Sequence, residues 1–381
     1  MGSARLLPGK GKVMRIAQIA PLAESVPPRL YGGTERIVSY LTEELVHMGH
    51  QVTLFASGDS LTSATLVPCR RLAMRLDPTC RDPIPSVMMM MDCLRQRADE
   101  FDVLHFHLDC LHFPTFRPMA DRTLTTLHGR QDLDDLYPFY AEFNDMPLVS
   151  ISDSQRKPLP DVRWAGTIHH GVPSRLFQLN TRTDGYLAFL GRVSPEKQPD
   201  EAIKIAIRSG LPLRMAAKVD NADLEYHEAR IRPLLDHPLI DFIGEIGDAE
   251  KSAFLGGARA LLFPISWPEP FGMVMIEAMA TGTPVIAYRH GSVEEVIDHG
   301  VTGFVVDNQD EAVEAVGMLD QLDRSEIRAQ FERRFSAERM ARDYVELYRR
   351  AAQSRIKVAA VPRVPPQAVE WPRPDLKVTS P

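Results

Sequence analysis

The sequence predicts an α/β protein built of two doubly wound parallel sheets. Short apolar runs alternate with segments of helical period from Val13 to about Ala352. The 381 residues leave room for two or three domains of about 150 residues each. With 44% hydrophobic and 25% charged residues, the chain supports an ordinary core without covalent staples.

In the first half, Met14–Ala20 reads as a strand, and a loop rich in Pro and Gly follows it. Thr34 is placed to cap a helix whose Ile37, Leu41, Leu45 and Met48 share a face and which Gly49 ends. Gln51–Ala56 then closes a strand–helix–strand unit, the unit of a parallel sheet. Asp102–His107, Thr123–His128 and Pro147–Ser152 are further strands. Gly58–Pro85 shows no period and reads as a long loop. Met88–Met91 is expected inside a core helix.

A polar hinge near Asn180–Asp184 opens the second series. Tyr186–Gly191 is a strand, followed by a helix with Pro199 at its first position. Strands follow at Pro212–Ala217, Leu239–Ile243, Ala260–Pro264, Pro284–Ala287 and Gly303–Val306, with helices at Val293–Ile297 and Gln309–Leu319. The organisation expected is a flexible start (1–12), a first domain (13–180), a second (181–335), a returning helix (336–352) and a disordered tail (353–381). Met340, Tyr344 and Leu347 align on that helix, and Arg355–Pro381 holds six prolines. Two such sheets facing each other create a cleft beyond their strand ends.

Charge and cysteine usage narrow the function. Lys+Arg 44 against Asp+Glu 51 gives a net charge of −7, and neither half has the basic excess of a nucleic-acid binder. The four cysteines (Cys69, Cys80, Cys93, Cys110) form no CxxC pair. The opening MGSARLLPGKGK lacks the apolar core of a secretion signal, and no run approaches the ~18 apolar residues of a membrane span. A cytoplasmic setting is expected.

Three places suit an anion. Gly32-Gly33 precede a helix start, where backbone amides and the dipole favour phosphate, although paired glycines also serve a tight turn with φ > 0. Arg192 and Lys197 follow a strand's carboxyl end, where an arginine fork and a compact ammonium suit a diphosphate; solvated loop cations are the plainer alternative. In Glu269-Pro270-Phe271-Gly272-Met273-Val274-Met275-Ile276-Glu277, Pro270 holds Glu269 out of helical geometry, and a helix is expected from Phe271 or Gly272 to Gly282. The amides of Phe271, Gly272 and Met273 then face the cleft, with Glu277 about two turns along, roughly 8 Å from the loop glutamate.

These residues, with His128-Gly129 at a strand end and His169-His170-Gly171-Val172-Pro173 before the hinge, resemble the retaining glycosyltransferases of family 4. The resemblance implies the GT-B architecture, two Rossmann-like domains facing across a cleft, and covers Val13 to about Ala352. It implies that Arg192 and Lys197 bind a donor diphosphate, helped by amides near Gly33 and at Gly272-Met273. It further implies that Glu269 binds sugar hydroxyls, Glu277 the ribose, and Lys218, Ile243 and Gly244 the surroundings of the base, with His128 near the transferred sugar. The implied reaction moves a hexose from a nucleotide donor, expected to be a UDP-sugar, with retention and without metal or other cofactor. The acceptor is expected to be soluble rather than a lipid and to meet Gly58–Pro85, His105–His112 and Gln131–Tyr140. Position 170, His170, carries histidine where the family commonly has Asn. An epimerase or hydrolase on the same architecture and a non-catalytic nucleotide-sugar sensor are the alternatives; turnover without acceptor, or no turnover, separates them.

Other constellations point elsewhere. His105, His107, Asp109 and His112 mimic a metal site, but cleft lining or packing is the expected role. Asp132-Leu133-Asp134 mimics a metal-binding DxD and is expected at a helix start. Ser152 is expected to cap a helix. Trp267 either walls the pocket or anchors its loop.

Overall fold

A computed structural model of the chain describes residues 12–29 and 32–354. The start 1–12 apart from Lys12, Tyr31, and the tail 353–381 apart from its first two positions lie outside the described residues. The first sheet comprises β1 (Arg15–Ile19), β2 (Gln51–Ser57), β3 (Thr65–Arg70), β4 (Val103–Phe106), β5 (Thr123–Thr126), β6 (Leu148–Ser150) and β7 (Trp164–Thr167). The second comprises β8 (Tyr186–Arg192), β9 (Leu213–Lys218), β10 (Ile240–Gly244), β11 (Ala258–Phe263), β12 (Val285–Tyr288) and β13 (Gly303–Val306). Their orders are β3-β2-β1-β4-β5-β6-β7 and β10-β9-β8-β11-β12-β13, and every pairing is parallel. Both sheets reverse direction beside their first strand, between β1 and β4 and between β8 and β11. Loops leaving those strand ends open a crevice in each lobe, the usual ligand position in open α/β sheets.

Several expectations are corrected. Gly58–Pro85 is not all loop: β3 forms the sheet edge there, and Pro68 is tolerated because an edge strand has an unpaired side. β7 carries no strand signal in the sequence, because Trp-Ala-Gly-Thr has no alternation. Helices at Asp248–Gly257 and Arg324–Arg334 were also unread; in the second only Ile327 and Phe331 are buried. The first helix runs Gly33–His47 with Gly32 at its cap position, so Thr34 lies inside the first turn and caps nothing. Of the methionine run in the Ile84–Arg97 helix, Met90 and Met91 are core while Met88 and Met89 are exposed.

The last helix, Ala337–Ser354, follows the second sheet in sequence but packs on the first. Met340, Tyr344, Val345 and Tyr348 share a buried cluster with Met14, Ile16, Ile37, Leu41 and Leu45. Glu295, beyond β12, accepts hydrogen bonds from the Asp153 and Ser154 amides at 2.7 Å, tying the lobes at their hinge side. That short Asp153–Arg156 helix is capped by Ser152, whose Oγ accepts from Gln155 N at 3.0 Å. Ser152→Ala should therefore lower stability by about 1 kcal/mol, the usual worth of an N-cap, read as a shifted urea midpoint with unchanged slope.

Candidate active site between the lobes

Loops from both switch points line one cavity of about 500 Å³, within the range of small-ligand sites. The first lobe contributes Pro21, Gly32, Gly33, Glu35, Arg36, Arg75 and His128. The second contributes Arg192, Lys197, Lys218, Lys251, Glu269, Phe271, Gly272, Met273 and Glu277. Of the expected site residues, Ile243 and Gly244 alone do not line it. β10 ends at Gly244, whose φ is +77°, and the turn presents Glu245 and Ile246 instead.

The two loop cations are not bare. Arg192, at the end of β8, donates to Glu196 Oε1 at 2.7 Å and lies 3.8 Å from Asp220 and 4.0 Å from Asp223. Lys197 pairs with Glu269, and its ammonium sits 5.2 Å from the Trp267 ring centre and 5.5 Å from that of Phe263. Trp267 Nε1 donates to the same Glu269 oxygen at 3.0 Å. Trp267 is thus an anchor for the Glu269 loop, and it is absent from the cavity wall. Lys218 is paired with Asp220 at 2.8 Å.

The helix after this loop is Met273–Ala280, capped by Gly272 at φ +75°. Glu277 is its fifth residue, so it stands little more than one turn along, not two. A Cβ on Gly272 would approach Met275 Cε to 2.7 Å and Phe263 to 3.1 Å, so close packing and left-handed backbone both require glycine. First-turn amides of a helix have no intrahelical partners, and those of Gly272, Met273 and Val274 belong to cavity-lining residues. In the first lobe a Cβ on Gly32 would collide with Pro28, whereas around Gly33 the space is open.

The Glu269 loop is held from outside by Gly291-Ser292. Ser292 N donates to Glu269 O at 3.1 Å, and Ser292 Oγ donates to Phe271 O at 2.8 Å. Gly291 has φ +57° and abuts the Glu269 backbone so closely that a Cβ would collide with it. Gly291→Ala should displace Glu269 and reduce activity by roughly 10²-fold, the scale of a 1 Å misplacement, with unchanged circular dichroism.

Sequence reading missed the partners of Glu277. Arg36 of the first lobe pairs with Asp248, Lys251 lies 3.4 Å from Asp248, and Lys251 donates to Glu277 at 2.9 Å. This alternating chain crosses the cleft. Asp248 and Lys251 share a helix that the sequence does not signal, and Arg36 comes from the other lobe, so no motif joins these three to Glu277.

The histidines of this cluster are held by hydrogen bonds and ring contacts inside the first lobe. Among the described residues no group of three or more His, Cys, Asp or Glu is placed to hold a metal. His105 bridges Tyr348 and Thr126 at 2.7 Å each, and His112 bonds Thr125 at 2.8 Å while stacking on Phe106. His107 contacts Gln18 and His128, both at 2.8 Å. Burial keeps these rings neutral: it pushes His105 and His128 down to about 3, and His107, His112 and His170 well below the usual range. His170 also lines the cavity, stacked on His128 at 5.2 Å. Asp132 accepts from Arg130 in a loop, since the helix expected there begins only at Leu136.

Known proteins place this arrangement. The family described as Glycosyltransferase Family 4 matches residues 31–184, and Glycosyl transferases group 1 matches residues 175–336. A phosphatidyl-myo-inositol mannosyltransferase of Mycolicibacterium smegmatis is 26% identical over 85% of this chain and 88% of its own length. A D-inositol 3-phosphate glycosyltransferase of Nocardioides is 27% identical over 55% of each chain, so the match spans about half of that relative. Sucrose-phosphate synthase from Thermosynechococcus elongatus superposes with a TM-score of 0.73 at 17% identity, covering 90% of this chain and 100% of that one. Anabaena HepE in complex with UDP and glucose gives 0.68 at 15% identity, covering 91% and 100%. The two family matches overlap at the hinge and together take in both lobes with their shared cavity: the chain belongs to the family 4, group 1 glycosyltransferases and has their two-domain GT-B fold.

Proposed function

We propose that this glycosyltransferase takes a hexose from a nucleotide diphosphate, UDP-hexose first among candidates, and transfers it with retention of configuration. The observation that carries this reading is convergence: Arg192, Lys197, Glu269, Glu277 and the Gly272-Met273 helix mouth share one cavity. Breaking a sugar–phosphate bond builds negative charge on the leaving diphosphate. Arg192, Lys197 and the helix amides receive that charge from positions fixed beforehand. Lys197 exchanges Glu269 for a phosphate oxygen, which frees the carboxylate for sugar hydroxyls. Glu277 takes the ribose hydroxyls, Gly33 lets the diphosphate lie against the backbone, and His128 faces the sugar. With two cations and the helix mouth in place, the reaction is assigned no metal and no cofactor, and its setting is the cytoplasm, where nucleotide sugars serve as donors. A UDP- and glucose-bound structural neighbour supports the donor. Relatives named for inositol phosphate and phosphatidylinositol support a cyclic polyol acceptor, free or lipid-borne.

A thermal-shift panel of UDP-, GDP-, ADP- and TDP-hexoses tests the donor, because a ligand of the folded state raises the midpoint. UDP-hexose should give the largest shift; no shift from any member rejects the reading. Transfer assays with inositol phosphate and with phosphatidylinositol vesicles then separate the acceptor sources. Glu277→Ala should raise donor KM about tenfold, the worth of a hydrogen bond to a charged group, while kcat changes less.

A further inference from the structure

Glu277 does not meet the cavity bare. Three charged groups from two other helices stand behind it, and the transfer chemistry above uses none of them. Arg36 projects from the first lobe's Gly33–His47 helix with a side chain only 7% exposed. It pairs with Asp248, at the head of the second lobe's Asp248–Gly257 helix. Lys251, one turn along that helix, lies 3.4 Å from Asp248 and donates to Glu277 Oε1 at 2.9 Å. All four residues line the cavity. Tyr40, one turn after Arg36, packs against buried clusters of both lobes, so apolar contact as well as charge joins the lobes here.

We propose that Arg36 is a positioning residue for donor binding: by occupying Asp248 it leaves Lys251 to Glu277, so the first lobe sets the second lobe's grip on the ribose without touching the donor. Asp248 has two cations to choose from. Lys251 is its i,i+3 neighbour on the same helix, a favourable pairing on a helix surface. Arg36 reaches it only from the opposite lobe, with a guanidinium fork that suits a carboxylate better than an ammonium does. The distances fit that competition, since Lys251 sits nearer the acid that Arg36 does not hold. Lys251 on Oε1 leaves Glu277 Oε2 to accept from a ribose hydroxyl. It also offsets the charge of a carboxylate whose side chain is 5% exposed and which shares its cavity with an anionic donor. Without Arg36, Lys251 turns to Asp248, and Glu277 is left as an enclosed, unneutralised anion that repels the diphosphate.

The link to the ribose rests on the proposed function, but the exchange of partners does not, and a crystal structure of ligand-free, full-length Arg36→Gln reads it directly. Lys251 Nζ should lie within hydrogen-bond distance of Asp248 and beyond it from Glu277. An ammonium still bonded to Glu277 overturns the proposal whatever the donor turns out to be. Calorimetric titration with UDP-glucose supplies the second test. Arg36→Gln should weaken binding about tenfold, the worth of a hydrogen bond to a charged group. Adding Asp248→Asn, which removes the competing acid, should recover most of that loss. If the Arg36–Asp248 pair served only to clamp the lobes together, the double variant would bind as weakly as the single one, and that result overturns the role of Arg36. In a Glu277→Ala background, Arg36→Gln should have no further effect, because the group it positions is gone; a further tenfold loss there also rejects it. Should Arg36→Gln fold poorly, Lys251→Gln keeps the pair between the lobes and should weaken binding as much, and wild-type affinity in that variant contradicts the relay. Failure of every sugar nucleotide to bind the wild type, with Lys251 changing partner in the variant crystal, would instead sink the proposed function and leave the exchange of partners standing.

Discussion

The protein should lose stability steeply between pH 6.5 and 4.5, by about 5 kcal/mol per pH unit at the steepest. His105, His107, His112 and His170 are buried, and burial holds all four below their ordinary value of 6.5. The unfolded chain binds protons at these rings as pH falls through about 6.5, while the folded chain does not. Stability is then complete above pH 6.5 and declines as pH drops, by about 1.4 kcal/mol per unit for each such ring. His128, depressed to about 3 at the cavity wall, adds in the same sense. Glu35 and Asp109, raised by burial, act the other way, but they are two groups against five. Carboxylates held low by partners, such as Asp77 and Asp220, matter only below their unfolded range near pH 4. Since native stability is about 5–15 kcal/mol, acid unfolding should be complete well above pH 4. Urea midpoints at pH 7.5 and 5.5 measure this, and equal midpoints would contradict the neutral, buried cluster.

The same cluster shows how far the sequence can be read. Parallel strands buried on both faces give unbroken apolar runs, so the central strands and the long crossover helix Gly33–His47 were legible. Edge elements were not: β3 carries Pro68 and Arg70, and β7 carries a glycine, because an edge is not required to bury both faces. The Arg324–Arg334 helix shows the same limit, since two buried side chains in eleven residues give too weak a stripe. At the site, residues adjacent to a motif were visible, as with Glu269, Gly272 and Glu277. Partners delivered by other elements were not. Lys251 reaches Glu277 from a separate helix, and the Gly291-Ser292 turn braces Glu269 from beyond β12. The histidines were noticed as a pattern, yet only three-dimensional packing separates a ligand set from a hydrogen-bonded chain that ends on Tyr344 and Tyr348.

Lys197→Ala should lower kcat by about 10²–10³-fold, the cost of removing one preorganised charge-stabilising group from a closed site. The residue is well placed for this role. Its side chain is 17% exposed, its ammonium lies over two aromatic faces, and its partner Glu269 is also largely enclosed. In such surroundings a fixed cation acts on a developing phosphate charge more strongly than it would in water. The proposed nucleotide-diphosphate donor carries charge before reaction, so some ground-state affinity should be lost as well. The larger loss falls on the step in which the sugar–oxygen bond breaks, because the leaving oxygen gains charge only then. Donor KM should consequently change severalfold at most, the reverse of the pattern expected for Glu277→Ala. Lys197→Arg should recover part of the rate, since the charge returns but its compact geometry does not. Loss of the lysine also leaves Glu269 without its cation, so the thermal midpoint must be followed alongside the kinetics. A folded Lys197→Ala protein with wild-type kcat would show that the leaving diphosphate is stabilised elsewhere, leaving Arg192 and the Gly272-Met273 amides to carry that charge.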